Sequence, residues 1–201
     1  MGKTGDKAEE GFSPGFDCIS RGNIQAMKNG EREKSGIERA GEELFNFAVD
    51  REDVKTLMAY LPPQAHIERG KVEYELQLLK IISVGWGISY FLQGWYRKNE
   101  LAEVYWKAIH ELSESIYSTT GLMIGQHIDY FQEIRNRLDM YVHALGEKPG
   151  AAEPAAVIGP EFARACGNVA DVYTVLTGSR MFIGTIGRVK AYLEALELGW
   201  R

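Results

Sequence analysis

The sequence predicts an all-α protein, a single bundle of about five to seven helices. Three observations predict it. After residue 35, apolar residues recur at helical spacing through most of the chain. Nowhere does the period-two alternation of a half-buried strand compete with them. The run Leu76–Tyr96, LQLLKIISVGWGISYFLQGWY, carries no charge between Lys80 and Arg97 and is apolar on nearly every face. A helix of that kind belongs at the centre of a core or at a subunit interface, not on an open surface.

The elements follow in order. Residues 1–34 are polar, Gly-rich and without period, with Phe12, Phe16, Ile19, Ile24 and Met27 scattered among them. They suit a flexible tail, or an arm that wraps a partner. The bundle domain then covers residues 35–201. Ser35-Gly36-Ile37-Glu38 is a capping box, in which each of the two polar side chains satisfies an orphan N–H of the other residue. Ile37, Ala40, Leu44 and Phe47 continue at helical spacing. Val54, Leu57, Met58 and Leu61 make a second, short helix, which Pro62-Pro63 ends because proline lacks the next donor. The apolar run follows. Asn99-Glu100 suits the N-cap of a helix with Leu101, Tyr105, Ala108, Leu112 and Ile116 on one face. The alternative is one long helix bent near Gly94.

After Gly121 and Gly125, the next helix places Ile124, Ile128, Phe131, Leu138, Val142 and Leu145 inside. Residues 146–159, GEKPGAAEPAAVIG, have the composition of a long loop. Pro160 then suits a first helical turn. Phe162, Cys166, Val169, Tyr173 and Leu176 follow as core positions. After Gly178, Phe182, Ile186, Val189, Leu193 and Leu196 form a last stripe.

Composition narrows the function classes. The formal net charge is −5, with the excess acidity in the body, and no Lys/Arg block announces a groove for nucleic acid. The two cysteines, Cys18 and Cys166, make neither a disulfide framework nor a metal site. They fit a reducing compartment, so a cytoplasmic protein is expected. The apolar run contains Ser83, Gly85, Gly87, Ser89, Gln93 and Gly94 and has no second candidate beside it, which argues against a membrane span. Gly2-Lys3-Thr4 lacks the earlier glycine and strand of a phosphate loop. Gly11-Phe12-Ser13-Pro14-Gly15 has proline where a nucleophile elbow needs a backbone N–H. No Glu-x-x-His occurs. Asp139 and His143 share a helix face, but two ligands do not make a metal site. Neither metal nor cofactor is expected.

The segment Glu133–Leu145, EIRNRLDMYVHAL, resembles the active-site helix of HEPN-domain ribonucleases. Those are small helical dimers with an Arg and a His little more than one turn apart and a polar residue after the Arg. Arg137 and His143 have that separation, but Leu138 follows the Arg. Arg135 is followed by Asn136 but stands farther from His143. The resemblance implies a metal-independent ribonuclease in which His143 moves a proton and Arg135 or Arg137 stabilises phosphate charge.

A second constellation is larger. Trp86, Tyr90, Trp95, Tyr105 and Trp106 are concentrated in one stretch, and Ser83, Gly87 and Gly94 fall near one helix face where a neighbour can approach closely. Aromatic side chains with polar tips suit interfaces. The leading expectation is a non-enzymatic bundle that acts through this surface, as a homodimer or as an adaptor or subunit of a larger assembly. The ribonuclease is the alternative, and a bundle that binds an apolar small molecule is the second alternative.

Overall fold

The computed structural model describes residues 35–63, 68–148 and 153–196. Expectations that fall on residues 1–34, including Cys18 and the two motifs near the start, lie outside them. The described residues form seven helices and no strand: α1 (Gly36–Val49), α2 (Glu52–Tyr60), α3 (Arg69–Phe91), α4 (Lys98–Ile124), α5 (Tyr130–Glu147), α6 (Ala155–Ala165) and α7 (Val172–Ala195). The all-α bundle is the fold that the sequence predicts.

The capping box at α1 is present: Ser35 Oγ accepts from the Glu38 N–H, and Glu38 Oε2 accepts from the Ser35 N–H at 2.8 Å. Asp129 and Asp171 cap α5 and α7 in the simpler way, each accepting from the backbone N–H three residues on. Between α3 and α4 the chain turns rather than running on as one bent helix, and Gly94 there has φ +119°, which favours glycine. The N-cap of α4 is Arg97, not Asn99, with no side-chain cap of its own.

Helix α3 is the axis of the bundle and touches each of the other six helices. Val72, Leu76, Leu79, Ile82, Val84 and Ile88 are buried on it, so its faces are consumed inside the protomer. Helices α6 and α7 pack together, α7 lies along α3, and α1 lies along α4.

Three details differ from the sequence reading. Helix α6 begins at Ala155, inside the segment 146–159 whose composition suggests a loop, and Pro160 sits in its interior. Burial of Val157, Ile158, Phe162 and Ala163 outweighs the missing Pro160 donor. In α5 the buried positions are Tyr130, Ile134, Tyr141 and Ala144, so Val142 is exposed. Ile124 and Ile128 lie at the α4–α5 corner and are exposed too. Finally, Val169 is exposed in the connection before α7, and Tyr173 and Leu176 face outward because α7 turns Thr174, Thr177, Gly178 and Met181 to its neighbours.

Candidate functional site

The aromatic constellation is divided by the fold. Ser83 is buried and its hydroxyl donates to the Leu79 carbonyl at 2.7 Å, a bond within its own helix. Tyr105 is buried and its hydroxyl donates to the Ile81 carbonyl at 2.7 Å, tying α4 to α3. Burial pushes that phenol well above its ordinary pKa. Gly87 is covered by α7: a Cβ there would stand 2.7 Å from Val189 Cγ1. Its neighbour Gly85 is covered by the Trp106 ring, which a Cβ would meet at 2.2 Å. Trp106 in turn packs edge-on to Tyr105. Trp86 is half-buried against Phe182, ring centroids 5.3 Å apart. The small residues and indoles therefore meet within one chain. Tyr90 and Gly94 are exposed at the α3–α4 turn, while Trp95 is half-buried with an indole N–H that finds no acceptor among the described residues.

The residues that resemble a ribonuclease helix are also separated. Arg137 is committed to Glu75: its Nε and Nη2 donate to the two carboxylate oxygens at 2.8 and 2.7 Å. Those hydrogen bonds to Glu75 hold the guanidinium protonated even more firmly than usual. Arg135 is exposed, and His143 is exposed with its Nε2 3.3 Å from Glu147 of the same helix. Asp139 is exposed. Among the described residues no three His, Cys, Asp or Glu side chains group so as to hold a metal ion. Cys166 is buried, and burial first, then the charge of Glu75, pushes its thiol up to about 12. A thiol so protonated is a poor nucleophile.

Two buried charges inside α3 escape a periodicity argument. Glu75 is 1% exposed and Lys80 fully buried. Lys80 Nζ donates to the Asp50 carbonyl at 2.7 Å and lies 2.9 Å from Asp53 Oδ2. Arg188 of α7 reaches the same Asp53 oxygen at 2.6 Å. Both cations lie over the Phe47 ring, at 4.6 and 4.9 Å. Burial works against the charge of Asp53, but the hydrogen bonds from Lys80 and Arg188 outweigh it and hold its carboxyl below the usual value. The visible signal is a charge in a run too apolar to leave it in water, since such a charge needs a partner. These groups staple α2, α3 and α7 together.

What the core leaves uncovered is different. The outer face of α7 carries Val172, Tyr173, Leu176 and Ile183, exposed by 65, 55, 47 and 56%. Gly184 and Gly187 continue that side of the helix, with open space where a Cβ would stand. A shorter apolar patch, Leu122, Met123, Ile124 and Ile128, occupies the α4–α5 corner. Between α1, α3, α4 and α5 there is a crevice of about 380 Å³. No helix among the described residues is long and apolar enough to cross a membrane.

In comparisons with known proteins, no family model, no curated protein and no solved structure matches this chain.

Proposed function

We propose that the protein acts by association rather than by catalysis, and that two copies pair through the outer faces of their α7 helices. The observation that carries this is the exposed apolar stripe of α7. Val172, Leu176, Ile183 and Gly187 are spaced by four, seven and four residues, which keeps them on one side of the helix. Isolated exposed apolar residues need no explanation, but a row of them along one side of a helix does, here with Arg180 between Leu176 and Ile183.

The stripe is self-complementary when two helices run antiparallel. Leu176 of one copy then faces Ile183 of the other, and the bulky Val172 faces the bare backbone of Gly187. Such matching of a patch to itself is what a two-fold interface requires. Arg180 lies on the flank, and the pairing brings both copies of it to one edge. Salt screens that repulsion, so added salt should tighten the dimer.

Light scattering on the full chain tests the proposal. The expected mass is that of a dimer at micromolar concentration, and Leu176→Asp with Ile183→Asp should give a folded monomer of unchanged helical content. A wild-type monomer at high concentration overturns the proposal, as does a double variant that remains dimeric.

A further inference from the structure

Arg180 interrupts the apolar outer side of α7. It is exposed, and among the described residues it makes neither a hydrogen bond nor an ion pair. The other two cations of the helix are engaged, Arg188 with Asp53 at 2.6 Å and Lys190 with Glu194 at 4.0 Å. In a single protomer an exposed guanidinium needs no partner but water. Pairing of two α7 faces changes its surroundings.

Arg180 follows Leu176 by four residues and so stands about 40° further round the helix. When Leu176 of one copy faces Ile183 of the other, the same register sets Arg180 across from Ser179. The two Arg180 residues then lie less than one helical turn apart along the pair, astride the two-fold axis and on the same edge. Packed helices stand about 8–10 Å apart, which leaves both guanidiniums within reach of one point. The facing helix offers no carboxylate there, because α7 has no acidic residue between Asp171 and Glu194. Two like charges thus meet at the rim of an apolar contact with nothing to neutralise them. An anion shared by both removes the repulsion and adds charge-assisted hydrogen bonds. The planar fork of arginine matches the oxygens of a phosphate, whereas chloride offers only a point charge.

We propose that the paired α7 helices hold a phosphate group between the two Arg180 guanidiniums, and that dimerisation is coupled to phosphate binding. The site rests on the proposed α7 pairing, and neither copy completes it alone. In a chain of net charge −5 a single exposed arginine attracts an anion weakly. Occupancy therefore follows the dimer, and the dimer follows occupancy.

Sedimentation equilibrium of the full chain tests this at neutral pH, in millimolar inorganic phosphate and in chloride of equal ionic strength. Phosphate so dilute exerts little general salting effect. The dimer dissociation constant should fall about tenfold once phosphate reaches about ten times its own dissociation constant. Arg180→Gln should dimerise more tightly than wild type in chloride and should respond equally to both salts. Vesicles of phosphatidic acid separate two sources of the phosphate. A dimer that sediments with them and is released by inorganic phosphate takes it from a lipid headgroup, and one that ignores them takes it from a soluble molecule. A wild-type dimer equally tight in both salts overturns the phosphate site and leaves the α7 pairing standing. An Arg180→Gln protein that keeps the phosphate response, or that dimerises less tightly than wild type in chloride, overturns the site as well. A wild type that stays monomeric in both salts overturns the pairing and the site with it.

Discussion

Replacing Arg137 with alanine separates a structural arginine from a catalytic one. The Glu75 carboxylate is almost wholly buried, and both of its oxygens are met by Arg137, at 2.7 and 2.8 Å. Removing one partner of a buried pair leaves an uncompensated charge, a loss of about 3–5 kcal/mol. For a chain of this length, each kcal/mol lowers the melting temperature by about 2–4 °C, so Arg137→Ala should melt about 6–20 °C below wild type. Two companions sharpen the assay. Arg135→Ala removes an exposed side chain two residues away and should stay within about 0.5 kcal/mol of wild type. Glu75→Met with Arg137→Met should recover most of the loss, because an apolar pair of similar volume has no charge to desolvate. The melts are read by circular dichroism at neutral pH. An Arg137→Ala protein that melts within about 2 °C of wild type refutes the assignment of this arginine to the fold. It would return Arg137 to the group of free surface cations.

Two further predictions concern the staple and the tight contact at α3. The folded-state pKa of Asp53 lies below its ordinary value of 3.8. Its contribution to stability is therefore present above that value and is lost as the pH falls below it. Between about pH 5 and pH 2, wild type should lose stability more steeply than Asp53→Asn, and parallel curves in a pH series of melts would show that the staple carries no linkage. Gly85→Ala forces a Cβ against the Trp106 ring. It should destabilise by about 1–3 kcal/mol and change the indole fluorescence. Gly146→Ala, on an open part of α5, should gain a few tenths of a kcal/mol from helix propensity. Equal effects in thermal melts would mean that the α3–α4 contact yields freely.

The helices were legible because their stripes are long and no other period competes. The boundaries and facing were less so, for physical reasons. In α5, Tyr141 and Val142 are both apolar and adjacent, and only packing against α3 and α6 decides that the tyrosine goes in. In α6, Gly159-Pro160 signals a loop locally, and the signal is overridden by burial on both sides of the proline. The aromatic constellation was legible as a place of close approach but not as to what approaches. Glycine beside tryptophan serves a helix of the same chain as well as a helix of another, and here Trp106 and Val189 occupy Gly85 and Gly87. The buried pairs of Glu75 and Lys80 join residues far apart in sequence, and spacing along one helix carries no trace of them.

The most apolar segment is not the most exposed one. Helix α3 is surrounded by its own protomer, and its two buried charges are met by α5, by Asp50 and by α2. Its hydrophobicity is thus accounted for by the fold. Helix α7 is not accounted for in this way. Its inner face buries Met181, Phe182, Val189 and Leu193 against the bundle, which suffices to hold it. Val172, Leu176 and Ile183 leave about half or more of their surface uncovered by the protomer. Their apolar character makes sense if something covers them. A Leu176→Asp, Ile183→Asp protein should therefore keep the helical content and melting temperature of the wild type while its mass in solution falls to that of one chain. A wild type that is itself a monomer would return these residues to the ordinary scatter of exposed apolar side chains.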